Sequence, residues 1–302
     1  MARLYAALIT LSLIWGLSFV FIKVIVDPAG VWGTTFLRCL AGLLILLPLF
    51  IRNRRKKQKV PLPIGKLAIV GLINAGLPWS LIAWSETQIN SNTASILNAT
   101  TPLWTALIGF ALFSVVLTGF QWIGIVVGFV GIMVLMDFQV AGLFTSNFIG
   151  IGTMLLATIC YGFAGQYTRR ALQGVSMVAI STFQLLVGMA AGLVGMLFTR
   201  GIEWGALLDM EILLSIIGLG CFGSGVAALL FFYVLTKGSP EFASTVTYLI
   251  PASAMVWGFV LLGEPITSNL ILGLIIIFAG VFLSSRKGKK RDRSAGKTSV
   301  QQ

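Results

Sequence analysis

With 302 residues, 57% of them hydrophobic and only 10% charged, the chain is too apolar for a soluble domain, in which about a quarter of residues are charged. The net charge of +12 is carried by short loops and a terminal tail, so it reads as a membrane-orientation signal and not as a nucleic-acid surface. There is no histidine, and Cys39, Cys160 and Cys221 stand apart without C-x-x-C spacing, so neither a metal nor another cofactor is expected.

Ten runs are long and apolar enough for a spanning helix, which needs about 20 residues. They are Leu4–Ile25, Val31–Ile51, Lys66–Glu86, Ser91–Ser114, Gly119–Asp137, Phe148–Arg169, Ser176–Phe198, Ile212–Thr236, Pro240–Leu262 and Ser268–Ser285. The first is too long for a signal-peptide core and lacks an A-x-A site, so it is read as a retained span. Connections are short and carry turn chemistry, as in Asp27-Pro28-Ala29-Gly30 and Lys237-Gly238-Ser239-Pro240.

An even number of spans puts both termini on one side. If that side is the cytoplasm, 18 of the 21 Lys and Arg fall inside: Arg3, the Arg52–Lys66 cluster, Arg169, Arg170, Lys237 and the tail bases. Asp27, Glu86, Asp137, Glu203, Asp209, Glu211 and Glu264 then fall outside, with Arg200 the clearly extracellular base. Every charged loop agrees with this placement, as the positive-inside bias requires. The tail, residues 286–302, is basic and polar and is expected to be disordered along anionic lipid at the cytoplasmic face.

The fourth run is unusual. In Ser91–Thr105, Ser91, Ser95, Asn98, Thr101, Pro102 and Thr105 recur at helical spacing and share a face. Pro102 removes one backbone hydrogen bond and strips the partner from the carbonyl of Asn98. In hydrocarbon such a face is tolerated only against protein or a water-filled cavity. The pattern returns 149 residues later, where Ala243-Ser244, Thr247, Tyr248 and Pro251 match Ala94-Ser95, Asn98, Ala99 and Pro102. The ungapped match runs from Gly76 to Met133 against Gly225 to Phe282, and Trp15-Gly16 pairs with Tyr161-Gly162 at a slightly different offset. The unit is five spans. Because five is odd, the second copy crosses the membrane in the opposite sense. Such inverted repeats exchange conformations around a site near the midplane. The expected division is a first repeat at 1–147, a second at 148–285 and the tail at 286–302.

Cavity candidates are the polar and aromatic residues at mid-span, which offer flat apolar faces with a few hydrogen-bonding tips. They are Trp15 and Ser18; Asn74, Pro78 and Trp79; Asn98 and Thr101; Tyr161, with Gln166 nearer the cytoplasm; and Thr247 and Tyr248. Pro102 and Pro251 are the expected hinges. Arg38 lies about 10 Å inside the second span at 1.5 Å per residue, so it needs a partner or water; it either pairs with helix-end carbonyls or snorkels, or it holds an anionic group of the substrate or gates the cavity. Lys23 stands at the outer end of span 1. Glu86, Glu241 and Glu264 are at span ends, so no mid-membrane carboxylate relay is visible. Gly124-x-x-x-Gly128 and Gly188-x-x-x-Gly192 allow close helix packing, inside the chain or in a weak dimer of an otherwise monomeric protein.

These residues resemble the EamA-type branch of the drug/metabolite transporter superfamily. The likeness rests on Leu13–Lys23 (LIWGLSFVFIK), on TTFLRCLAG with Arg38, and on Ala243-Ser244, Pro251 and Leu262–Thr267 (LGEPIT) followed by Gly273 and Gly280. It implies an all-α fold of ten transmembrane helices in two inverted five-helix repeats, with a cavity lined by spans 1, 3, 4, 6, 8 and 9. It also implies export or exchange of small metabolites such as amino acids across a bacterial inner membrane. One departure is that the second repeat keeps Gly263-Glu264 whereas the first reads Ser114-Val115. A nucleotide-sugar or phosphorylated-sugar antiporter of the same fold would want more basic cavity residues than Arg38 and Lys23. A membrane enzyme would want a nucleophile–base pair, a metal cluster or paired carboxylates, and none is visible.

Overall fold

The computed structural model describes residues 2–56, 61–135, 146–199, 201–238, 242–243 and 245–285. Outside them lie Lys57, Lys59, Asp137, Arg200, Pro240 at the expected start of span 9, Glu241, Ser244 and the tail at 286–302. Every regular element among the described residues is a helix. Six helices are long and apolar enough to cross a membrane, and three shorter apolar ones accompany them. The first helix turns back on itself and supplies two crossings, which makes ten spans.

That first element, α1 (Ala2–Lys56), leaves helical geometry at Gly30, with φ 68° and ψ 174°. Trp15 donates to Gly223 O at 3.1 Å and Arg38 donates to Ser224 Oγ at 2.9 Å, so the two residues sit at one depth. In a straight helix they would be about 34 Å apart at 1.5 Å per residue. The expected turn over Asp27–Gly30 is therefore narrower than its sequence suggested. The helix continues through Pro28 and the reversal falls on Gly30, which alone tolerates that φ without strain.

The third span is α2 (Ile64–Gly71), a π-helical stretch Leu72–Gly76 and α3 (Leu77–Gln88). Its repeat equivalent is built in the same way, from α9 (Met210–Ile217), a π stretch Gly218–Val226 and α10 (Ala227–Lys237). The fourth span is not the single kinked helix expected. It is α4 (Ser91–Asn98) and α5 (Thr101–Phe113), separated by a turn at Ala99–Thr100. Pro102 begins the second piece, where its missing N–H costs least. The carbonyl it frees is satisfied by Thr101, whose Oγ1 donates to Asn98 O at 2.7 Å. The remaining spans are α6 (Gly119–Leu135), α7 (Ser146–Ala171), α8 (Met177–Met196), α11 (Val246–Leu262) and α12 (Ser268–Ser285). Pro251 lies inside α11, which stays continuous through it.

The glycine motifs work inside the chain. A Cβ on Gly124 would fall 2.6 Å from Gly280 O, and one on Gly280 2.4 Å from Gly128 N, so α6 and α12 touch backbone to backbone. Gly192 meets the backbone of Phe36 in the same way, holding α8 on α1. The repeat extends to the backbone of a cap. Ser114 and Gly263, related by the 149-residue offset, both adopt left-handed conformations at helix ends. The next residues, Val115 and Glu264, donate their N–H to Gly109 O and Gly258 O. Large apolar side chains such as Leu44, Val126, Phe259 and Ile275 are exposed on the outside of the bundle, where acyl chains would meet them.

Candidate functional site

A cavity of about 800 Å³ lies between the repeats. Ten of the residues picked from the sequence line it: Trp15, Ser18, Arg38, Asn74, Trp79, Asn98, Thr101, Tyr161, Thr247 and Pro251. Two do not. Tyr248 follows Thr247 on α11, and one residue is about 100° of helix rotation, so its ring turns away and packs edge-on against Phe278 of α12 at 5.3 Å. Pro102 closes the break in span 4 without facing the space. Gln166 and Pro78 also stay out of it; Gln166 Nε2 crosses to Thr105 O at 3.1 Å and ties α7 to α5.

The lining follows the repeat more closely than the individual choices did. Asn74, Trp79 and Ile82 of span 3 line the cavity, and so do Gly223, Ala228 and Phe231, each 149 residues later. Span 4 supplies Asn98 and Thr101, and α11 supplies Thr247 and Ile250 at the same offset. Trp15, Phe19 and Ile22 of α1 correspond to Tyr161, Gly165 and Thr168 of α7. The sequence reading missed Gly223, Ser224, Phe231, Arg169 and Gln184, yet the offset applied to Asn74 would have nominated the first. The π stretches set these residues in place: each widens a turn where Asn74 or Gly223–Ser224 faces the cavity. Span 7, which the family resemblance does not place in the wall, contributes Met177, Ser181 and Gln184.

Several hydroxyls on this wall have already donated their hydrogen to their own helix: Ser18 to Ile14 O, Ser95 to Asn92 O, and Thr101 to Asn98 O. Trp15 Nε1 is committed to Gly223 O. Arg38 is held by Ser224 and lies with its guanidinium carbon 4.0 Å from the centre of the Trp79 ring. None of the described lining residues is acidic.

The cavity has one open and one closed end. It reaches the helix ends at Thr168, Arg169, Met177, Leu235 and Ala243, where Gly165 and Arg169 are exposed. In the other direction it stops at Ile22, Ile82 and Ser95. Beyond that floor, Lys23 Nζ donates to Glu86 O at 2.5 Å and Ile89 O at 3.2 Å, capping the free carbonyls at the end of α3. Glu264 accepts from Ser91 N at 2.8 Å, Ser91 Oγ at 2.9 Å and Asn92 N at 3.0 Å, capping the start of α4. The corner between α3 and α4 is thus gripped by span 1 on one side and by the loop after α11 on the other. Glu86 itself, expected among the outward acids at a span end, is completely buried in this corner. Its two carboxylate oxygens have no hydrogen-bond partner among the described residues.

A second hollow of about 780 Å³ lies between α1 and α8, lined by Leu40, Leu44, Pro48 and other apolar residues with Arg52 and Arg55 at one end. Leu40, Leu44 and Leu47 are exposed on the outer face of the bundle, so it reads as a groove towards lipid and not as part of the central site.

Comparison with known proteins agrees with this architecture. The model of the EamA-like transporter family matches residues 3–137 and 148–286, one match per repeat. The chain is 29% identical to the uncharacterized inner membrane transporter YedA of Escherichia coli (strain K12), over 94% of this chain and 91% of that one. It is 23% identical to the uncharacterized transporter YoaV of Bacillus subtilis (strain 168), over 94% and 97% of the two chains. It is 24% identical to the protein PecM of Dickeya dadantii (strain 3937), over 84% and 88%. A solved crystal structure, 14% identical, superposes with a TM-score of 0.65 over 94% of this chain and 97% of its own, which supports the fold alone.

Proposed function

The chain belongs to the EamA-like transporter family, and from that premise we propose that it exports or exchanges small amino-acid-like and related polar metabolites across a bacterial inner membrane by alternating access. The observation that carries the proposal is a cavity between two repeats, open at one end and sealed at the other by side chains whose repeat equivalents lie at the open end. Lys23 of the seal corresponds to Arg169 at the mouth, as Trp15 corresponds to Tyr161. The carbonyls that Lys23 caps, Glu86 and Ile89, correspond to Leu235 and Gly238 at the end of α10. In the reading proposed here, Lys23 and Glu264 let go as the sealed end opens, and Arg169 then caps the end of α10 to close the mouth. The break at Ala99–Thr100 and the two π stretches absorb the movement. The first repeat has Val115 where the second has Glu264, so the mouth is held shut by fewer contacts than the seal.

The open end carries Arg169, Arg170 and Lys237, which the distribution of basic residues assigns to the cytoplasm. This arrangement is therefore the inward-open one, with both termini cytoplasmic, repeats at 1–147 and 148–285, and the basic tail against anionic headgroups. The protein works as a monomer or a weak dimer, since both glycine motifs are used within the chain. The test is efflux from vesicles reconstituted with the purified protein, using a panel of labelled amino acids and related metabolites found by resistance screening of overexpressing cells. Asn98→Ala should weaken transport of the substrate so identified. Equal flux with and without protein across the panel would end the proposal.

A further inference from the structure

Arg38 brings a charge into the cavity wall and meets no acid there. Two contacts fix its plane. Nε donates to Ser224 Oγ at 2.9 Å, and one face of the guanidinium lies over Trp79. Ser224 Oγ in turn donates to Leu219 O at 3.2 Å, which turns its lone pair towards Arg38. The two terminal nitrogens donate to no described residue, and the side chain borders the cavity. A guanidinium steadied on one edge and one face, with its remaining N–H groups free, has the geometry that receives a carboxylate in two parallel bonds.

The rest of the wall points the same way. Arg169 at the mouth adds a second positive charge, and no described lining residue offers a negative one. An ammonium group would meet two cations, and the indole face best able to hold it is already covered by Arg38. Trp15 and Phe231, with ring centres 5.6 Å apart, and Ile82 provide apolar surface for a body of moderate size.

We propose that Arg38 is an anion-binding residue, and that the preferred cargo is a small organic carboxylate with an apolar or aromatic body. Such a compound binds better than the α-amino acid of the same skeleton. This rests on the transport reading above and narrows its substrate class.

The experiment uses three probes with one body: 3-phenyllactate, phenylalanine and phenylalaninol, an anion, a zwitterion and a cation. Their affinities for the purified full-length protein are measured by calorimetry. Phenyllactate should bind most tightly and phenylalaninol least. Arg38→Gln should weaken phenyllactate about 10- to 100-fold and erase its lead over phenylalanine, while leaving phenylalaninol unchanged or better bound. If Arg38→Gln does not fold, Ser224→Ala, which releases Nε, should still cost phenyllactate severalfold and Arg38→Lys should retain part of its lead. Phenylalanine binding as tightly as phenyllactate, indifference of phenyllactate to these variants, or binding of none of the three overturns the proposal. Flux into vesicles separates this from the parent reading. Phenyllactate that binds through Arg38 but is never carried supports the site and sinks transport. Phenyllactate carried equally by wild type and Arg38→Gln does the reverse.

Discussion

Replacing Glu264 with glutamine should move the resting population from the inward-open towards the outward-open arrangement. In the sealed corner the carboxylate accepts three hydrogen bonds, from Ser91 N, Ser91 Oγ and Asn92 N, and is only 8% exposed. A hydrogen bond to a charged group contributes about 1.5–3 kcal/mol, and a neutral one about half that. Glutamine keeps an acceptor for Ser91 but turns a donor towards the N–H of Asn92, so one bond is lost and two are weakened. One bond lost and two halved come to about 3–6 kcal/mol, or roughly a 100-fold or larger change in the ratio of the two arrangements at 1.4 kcal/mol per tenfold. The assay places a cysteine at Ile22, just beneath the seal, in a chain from which Cys39, Cys160 and Cys221 have been removed. A membrane-impermeant maleimide is then applied from the Glu264 face. Labelling should be slow with Glu264 present and at least tenfold faster with glutamine. Equal rates would mean that these three bonds do not hold the cavity shut.

Lys23→Met should act in the same direction, since it leaves the carbonyls of Glu86 and Ile89 without their cation, and the same labelling assay reads it. Ser114→Gly should raise stability by about 1 kcal/mol, because Ser114 holds a left-handed conformation that its repeat equivalent Gly263 adopts freely; an unchanged melting temperature would contradict this. Thr101→Val leaves Asn98 O without its donor and should destabilise the break in span 4 by about 1–2 kcal/mol, lowering the melting temperature of the purified protein. Tyr248→Phe should leave substrate affinity within about twofold while Asn98→Ala weakens it, since one hydroxyl is off the cavity and the other group is on it.

Much of the wall was legible because the bilayer punishes unpaired polar groups. The hydroxyls and amides of span 4, gathered on one face with a proline, had to point inward, and Ser95, Asn98 and Thr101 do. What local pattern did not show was how far the span would yield. A proline at 102 next to two threonines able to bond free carbonyls lets the helix tighten into a turn at Ala99–Thr100, and Thr100 and Thr101 bond Leu97 O and Asn98 O. Tyr248 was misplaced because one residue of helix rotation separates the cavity from the α12 interface. Ser224 was invisible as a partner of Arg38 because the pairing spans 186 residues and depends on a π stretch that no side-chain pattern announces. The burial of Glu86 was missed for a related reason. A carboxylate at a span end looks solvated until the opposite repeat is seen to fold its Glu264 loop over the same corner.

Alternating access requires that one chamber be offered to the two faces in turn. The direct measurement is a pair of spin-label distances on the full chain in lipid nanodiscs, with and without substrate. One pair joins Thr87 and Ser268 at the sealed end, and the other joins Gln173 and Thr236 at the mouth. Two-component distributions are expected, in which one pair lengthens as the other shortens. Distances that stay fixed at both ends, or that widen together, would contradict alternating access.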